Sequence, residues 1–215
     1  MPAPAHTRVH LLRHGEVFNP EMVLYGRLPG FLLSELGHRM AAMVADSLSD
    51  NDITHLVSSP LERAQQTAQP LVDSTGLGLV IDERVIEAGN RFEGRAVAGG
   101  RNLLRAANLP LAVNPFRPSW GEPYTAIRDR MVPAVHAARE AAFGHEAVIV
   151  SHQLPIWTTR LSAEGRRLWH DPRRRECTLA SLTTISFDER GTLLGVDYTE
   201  PAASLLPLAS KVAGA

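Results

Sequence analysis

The sequence predicts an α/β fold: a three-layer α/β/α sandwich in which helices cover both faces of a mostly parallel central sheet. Two observations carry this. Short apolar runs of strand length recur along the chain. Between them stand longer segments whose apolar residues fall at helical spacing, as in helices packed on a sheet.

Residues 7–12 form a β-compatible run closed by Arg13-His14-Gly15, where glycine permits a sharp departure from the strand. Ser34-Glu35 then opens a segment with Leu36, Met40, Val44 and Leu48 on one stripe, so the first unit is strand, long loop, helix. Residues 55–58 are a second strand. After it, Ser59-Pro60-Leu61-Glu62 supplies in order an N-cap, a proline for the first helical position and a capping-box glutamate. That order puts Arg63 in the first turn of a helix. Residues 79–81 are a third strand, and residues 88–121, rich in Gly, Pro and Asn, read as an irregular excursion with at most one short helix around 101–107. Tyr124, Ile127, Met131, Val135 and Ala138 make another helical stripe, in which Pro133 is expected to kink the helix or end its first part. Residues 147–150 are a wholly apolar strand ending at Ser151-His152, with a helix restarting near Pro155. Residues 178–187 and 192–198 flank Asp188-Glu189-Arg190-Gly191 as a β-hairpin, with Cys177 opening its first strand as a small buried hydrophobe. One domain is expected over residues 1–200, followed by a loosely ordered tail over 201–215.

Composition removes several function classes. With 215 residues and 44% hydrophobic content the chain can bury a core without covalent staples. A formal net charge of −1 gives no global attraction to nucleic acid or to an anionic membrane. The basic residues Arg166, Arg167 and Arg173-Arg174-Arg175 have only Trp169 as an aromatic neighbour, so they read as a solvated or substrate-facing patch. A single cysteine cannot form an internal disulfide or a thiol pair for zinc. The histidines outside the motifs offer no His-x-x-x-His pair beside carboxylates, so neither a metal nor a cofactor is expected. The first residues lack the pattern of an export signal, and no apolar run approaches membrane-spanning length, which points to the cytoplasm.

The chemistry lies where three predicted strands end: Arg13-His14-Gly15-Glu16, Ser58-Ser59-Pro60-Leu61-Glu62-Arg63 and Ser151-His152. In open α/β sheets ligands sit beyond the carboxyl ends of the strands, so these points can converge although far apart in sequence. Two arginines and two histidines then share one crevice. Guanidinium forks grip phosphate oxygens without losing their proton, and phosphate-ester hydrolysis depends on such charge stabilisation.

These motifs, with Glu87 between them, resemble the histidine phosphatase superfamily in its phosphoglycerate-mutase-like branch, over residues 7–199. The resemblance implies a phosphoglycerate-mutase-like fold in which His14 becomes phosphorylated and Arg13, Arg63 and His152 clamp the phosphoryl oxygens. Glu87 would protonate the leaving alcohol and later activate water. The chain departs from the family pattern in three places. Asn19 stands one position early as a phosphate contact, and Glu87 to Gly94 is one residue shorter than the pattern around the acid, which keeps Glu93 in reserve. Gln153 replaces a glycine after the second histidine and adds a side chain at the mouth. Arg27, Arg91, Arg95, Arg101 and Trp120 are candidates for the pocket walls.

The reading is therefore a metal-independent phosphatase of histidine acid type, acting on a small phosphorylated substrate. Two alternatives stand beside it: a phosphoglycerate-type mutase, and a non-catalytic module that binds phosphorylated ligands. The short interval from Glu87 to His152 favours the phosphatase over the mutase. A nucleophile together with an acid candidate argues against a mere binder.

Overall fold

The computed structural model describes residues 6–94 and 121–210. Six strands, β1 (Thr7–Arg13), β2 (Ile53–Ser58), β3 (Leu79–Ile81), β4 (Glu146–Ser151), β5 (Leu182–Phe187) and β6 (Leu193–Thr199), form one sheet of order β3-β2-β4-β1-β5-β6. β3, β2, β4 and β1 pair in parallel, and β5 runs antiparallel to both β1 and β6. The helices are α1 (Glu35–Ser47), α2 (Glu62–Thr75), α3 (Tyr124–Ala141) and α4 (Gln153–Ala163).

Alternation along the central strands builds two cores. Val9, Leu11 and Ile149 enter one with Ile127 and Met131 of α3 and Ile156 of α4. Leu12, Val148 and Val150 enter the other with Met40 and Val44 of α1 and Leu71 of α2. Strands buried on both faces read as unbroken apolar runs, which is why residues 147–150 carry no polar position. Each such side chain contributes roughly 1.5–3 kcal/mol by leaving water.

The helix starts were only partly legible. Ser34 caps α1 by accepting from Gly37 N at 3.0 Å, whereas the expected cap of α2 is corrected. That helix begins at Glu62, with Leu61 as N-cap and no side-chain cap. Ser59 Oγ lies 2.8 Å from His152 Nε2 and accepts from Leu61 N at 3.3 Å, ahead of the helix, and Glu62 Oε1 accepts from Gly30 N at 3.1 Å. Both side chains thus have distant partners that a local pattern cannot show. Pro133 does not end α3, which runs unbroken through it. The proline lies on the exposed side, where a carbonyl that loses its helical partner can turn to water. Cys177 is buried but does not open a strand: β5 starts at Leu182, after a turn in which Ala180 adopts φ 54°.

Beyond β6, a 3₁₀ turn over Ala203–Leu208 rests on α1, with Ala202 and Leu205 buried. Among the described residues no helix is long and apolar enough to cross a membrane. The register that matters most pairs Arg13 with Ser151 and Ser58 with Val150, which brings the carboxyl ends of β1, β4 and β2 side by side.

Candidate active site

His14 follows β1 directly and is fully buried. Its backbone N–H donates to Ser151 O at 3.1 Å, which ties the loop after β1 to the end of β4. Nδ1 lies 2.8 Å from the carbonyl of Gly15. A carbonyl only accepts, so Nδ1 carries the proton and Nε2 keeps its lone pair. The ring of His152, also fully buried, stands 5.1 Å away, centroid to centroid, inclined by 59°. His152 Nε2 is fixed by Ser59 Oγ, and its Nδ1 stands 4.0 Å from Glu87 Oε2.

Arg63, in the first turn of α2, is the largest fully buried side chain among the described residues. Its Nη2 donates to Gly26 O at 2.5 Å, and its guanidinium covers the Tyr25 ring at 4.7 Å. Arg13 donates from Nη1 to Cys177 O at 2.7 Å. Glu87, 3% exposed, accepts from Ala88 N through Oε1 at 2.8 Å. These contacts leave a set of buried polar atoms with no hydrogen-bond partner among the described residues: Arg13 Nε, His14 Nε2, Arg63 Nε and Nη1, Glu87 Oε2 and His152 Nδ1. Unsatisfied buried polar atoms are rare and cost about 1–3 kcal/mol each. Their concentration around two histidines suits an oxygen-rich anion that accepts from the guanidinium groups.

Electrostatics set the protonation states. Burial, then the charges of Arg63 and Arg13, hold His14 well below the usual histidine range, against the opposing effect of the Gly15 carbonyl. His152 is lowered likewise, by burial, Arg63, His14 and Arg13. Glu87 moves the other way: burial raises it above the usual carboxylate range, although the Ala88 N–H and the charges of Arg63, Arg13 and Arg175 oppose the shift. The site thus combines an imidazole held neutral with a carboxyl group that keeps its proton to higher pH than an ordinary glutamate.

Packing and paired charges hold this arrangement. Gly15 N donates to Thr67 Oγ1 at 3.1 Å, and a Cβ added to Gly15 would meet Gly37 O at 2.6 Å. Glycine is therefore required there by close approach of α1. The carbonyl of Glu87 accepts from Arg27 Nε at 2.6 Å and more weakly from Arg130 Nη2 at 3.4 Å. Glu122 joins those two arginines, accepting from Arg27 Nη2 at 2.8 Å and from Arg130 Nε at 2.8 Å.

The structure gathers Arg13, His14, Arg63, Glu87 and His152. The other residues singled out from the sequence stand around them. Asn19 donates to Val23 O at 2.8 Å and accepts from Val23 N at 3.0 Å, which commits both ends of its amide to the loop. The Arg27 guanidinium is bound to Glu87 O and Glu122. Glu93 is half-buried on the turn after the acid, with Oε1 accepting from Asn90 N at 3.0 Å. Gln153 donates to Cys177 O at 3.3 Å, and Arg91 is exposed. Arg95, Arg101, Trp120 and the short helix expected around 101–107 lie outside the described residues. Sequence reasoning passed over Tyr25, Glu122 and Arg130, whose contacts are long-range and carry no local motif. It also read Ser59 only as a cap.

Histidines and arginines thus converge at the carboxyl ends of parallel strands in a three-layer α/β sandwich. The chain belongs to the histidine phosphatase superfamily (branch 1), whose family model matches residues 9–196. It is 52% identical over 201 residues to the uncharacterized protein Rv0525 of Mycobacterium tuberculosis, covering 93% of this chain and 99% of that one. It is 28% identical over 199 residues to a probable phosphoglycerate mutase GpmB of Yersinia pestis, covering 85% and 86%. Among solved structures, the mycobacterial glucosyl-3-phosphoglycerate phosphatase Rv2419c superposes with a TM-score of 0.75 at 25% identity, covering 91% of this chain and 99% of that one.

Proposed function

We propose that this chain hydrolyses small phosphate monoesters in two phosphoryl transfers through a phosphohistidine on His14, without a metal ion. The observation that carries this reading is the bare, buried Nε2 of a neutral His14 beside the unpaired nitrogens of Arg13 and Arg63. In the first transfer the Nε2 lone pair attacks phosphorus, the bond to the leaving oxygen breaks, and that oxygen takes the proton of Glu87. In the second, water attacks phosphorus and yields a proton to the Glu87 carboxylate. The P–N bond breaks, its electron pair returns to Nε2, and phosphate leaves. Arg13 and Arg63 answer the charge on the phosphoryl oxygens through both steps, supplying what a metal ion supplies in other phosphatases.

The likeness to a probable phosphoglycerate mutase favours one second reading, in which the phosphoryl group returns to a substrate hydroxyl. Assays that follow free phosphate and isomerised ester together separate the two. His14→Ala is expected to lower turnover by about 10⁴-fold or more with any leaving group. Glu87→Gln should cost about 10²–10⁴-fold with alkyl phosphates and little with activated aryl phosphates, whose leaving groups depart unprotonated. Equal losses on both substrate types would remove Glu87 from the acid role, and loss of activity on chelation would overturn the metal-independent reading.

A further inference from the structure

The loop that carries Glu87 is held by its backbone carbonyls. Arg84 O accepts from Arg130 Nη1 at 2.6 Å, Glu87 O from Arg27 Nε at 2.6 Å, and Gly89 O from Glu122 N at 2.9 Å. The donors come from the loop between β1 and α1, from the first half of α3 and from the residues that lead into it. Gly121 bridges to Asn90, and a Cβ on Gly121 would stand 3.2 Å from Gly89 O. Glu122 ties these donors together. Its Oε1 accepts from Arg130 Nε at 2.8 Å, while Oε2 accepts from Arg27 Nη2 at 2.8 Å and from Arg130 Nη2 at 3.0 Å. Arg130 is thus gripped as a fork, and Arg27 shares the same carboxylate.

One carboxylate serves two guanidinium groups, so the cluster sets a net positive charge against the backbone of Glu87. Among the described residues Arg27 and Arg130 enter no other ion pair. The side chains of Arg130 and Glu122 are each 17% exposed, so water screens the charge only in part. The charge of Arg130 reaches His152, whose Nδ1 stands 4.0 Å from Glu87 Oε2. A positive charge near a carboxylic acid draws off its proton. An acid that must keep its proton until the leaving oxygen takes it therefore needs a negative charge on these arginines, and Glu122 binds both.

We propose that Glu122 is a positioning residue for Glu87: it aims Arg27 and Arg130 at the carbonyls of the acid's loop and offsets their charge, so that Glu87 keeps its proton. This rests on the phosphatase reading only for what that proton does. The Glu87 carboxyl group also faces His152 at the start of α4, and the charges of Arg63 from α2, Arg13 from β1 and Arg175 reach it. Tyr25 and Cys177 interact with it too, but burial raises both, Cys177 to about 11, so they stay neutral. None of these groups changes in the variants that follow. The test is a carboxyl-carbon NMR titration of Glu87, assigned by its loss in Glu87→Gln, in the resting protein. Glu122→Gln leaves both arginines unanswered, so the midpoint should fall by about one pH unit. Arg27→Gln removes one positive charge, so the midpoint should rise. A cluster that only braces the fold would move both variants in one direction or neither. Glu122→Asp, which keeps the charge, should restore most of the wild-type midpoint. On an alkyl phosphate, the loss of kcat/KM in Glu122→Gln should be about 10-fold greater at alkaline than at acid pH. Midpoints that move as stated under a kinetic limb that stays in place would uphold the role of Glu122 and remove Glu87 from the acid role. If Glu122→Gln does not fold, the midpoints of Arg27→Gln and Glu122→Asp decide. Midpoints equal to wild type, or shifts of one sign in Glu122→Gln and Arg27→Gln, overturn the proposal.

Discussion

As the proposed nucleophile, His14 owes its character to what surrounds it rather than to what it is. The Gly15 carbonyl chooses the tautomer, and burial with two guanidinium groups keeps the ring neutral. The sign of each shift gives a pH profile. His14 must be neutral to attack, and its proton is lost well below the ordinary histidine range, so kcat/KM on an alkyl phosphate should fall only at distinctly acid pH. Removing one of the charges that lower it, in Arg13→Gln, should move that acid limb upward. An acid limb that stays in place would show that the arginine charge does not reach His14. The alkaline limb should report deprotonation of Glu87, raised by burial, and should vanish in Glu87→Gln. The same shifts bear on stability. The unfolded chain takes up protons on His14 and His152 as pH falls through about 6.5 while the folded chain does not, so the folded state loses ground on acidification.

At the level of the elements, the site depends on how closely α1 approaches the loop after β1. A Cβ on Gly37 would lie 2.0 Å from Glu16 O, a backbone atom that cannot yield without moving the nucleophile loop. Gly37→Ala should therefore cost about 1–3 kcal/mol in a urea titration and reduce activity as well. A variant of unchanged midpoint and rate would mean that the loop can slide. The strands were plain in the sequence because residues 147–150 are an apolar run buried on both faces, and residues 7–12 are a β-compatible run closed by Arg13-His14-Gly15. α1 was plain because its stripe and its Ser34 cap are local. The start of α2 was not, since Ser59, three residues before the helix, bonds to the distant His152 as well as to Leu61 N, and the helix begins only at Glu62. Arg13, His14, Arg63 and His152 were legible because each sits at a strand end or a helix start. The Arg27, Glu122 and Arg130 cluster on the Glu87 carbonyl was not, because it joins three segments with nothing local to mark them.

In the whole molecule, the adjacent central strands β1, β2 and β4 lead into Arg13, His14, Arg63 and His152, while Glu87 follows the edge strand β3. The folded protein also holds polar atoms of Arg13, His14, Arg63, Glu87 and His152 without partners among the described residues. An anion that binds there stabilises the native state by mass action: at a concentration of 100 Kd, vanadate or phosphate should contribute about 2.7 kcal/mol, raising Tm by roughly 5–11 °C. His14→Ala together with Arg63→Gln should abolish that rise; a rise that survives both changes would place the anion elsewhere. The frame has a further consequence. In the proposed mechanism Arg13 and Arg63 grip the group being transferred by features it shares with the inorganic phosphate released at the end, so part of the affinity for substrate is also affinity for product. Free phosphate should compete with substrate, and turnover would then be throttled where phosphate is plentiful and released where it is scarce, with no separate regulatory site.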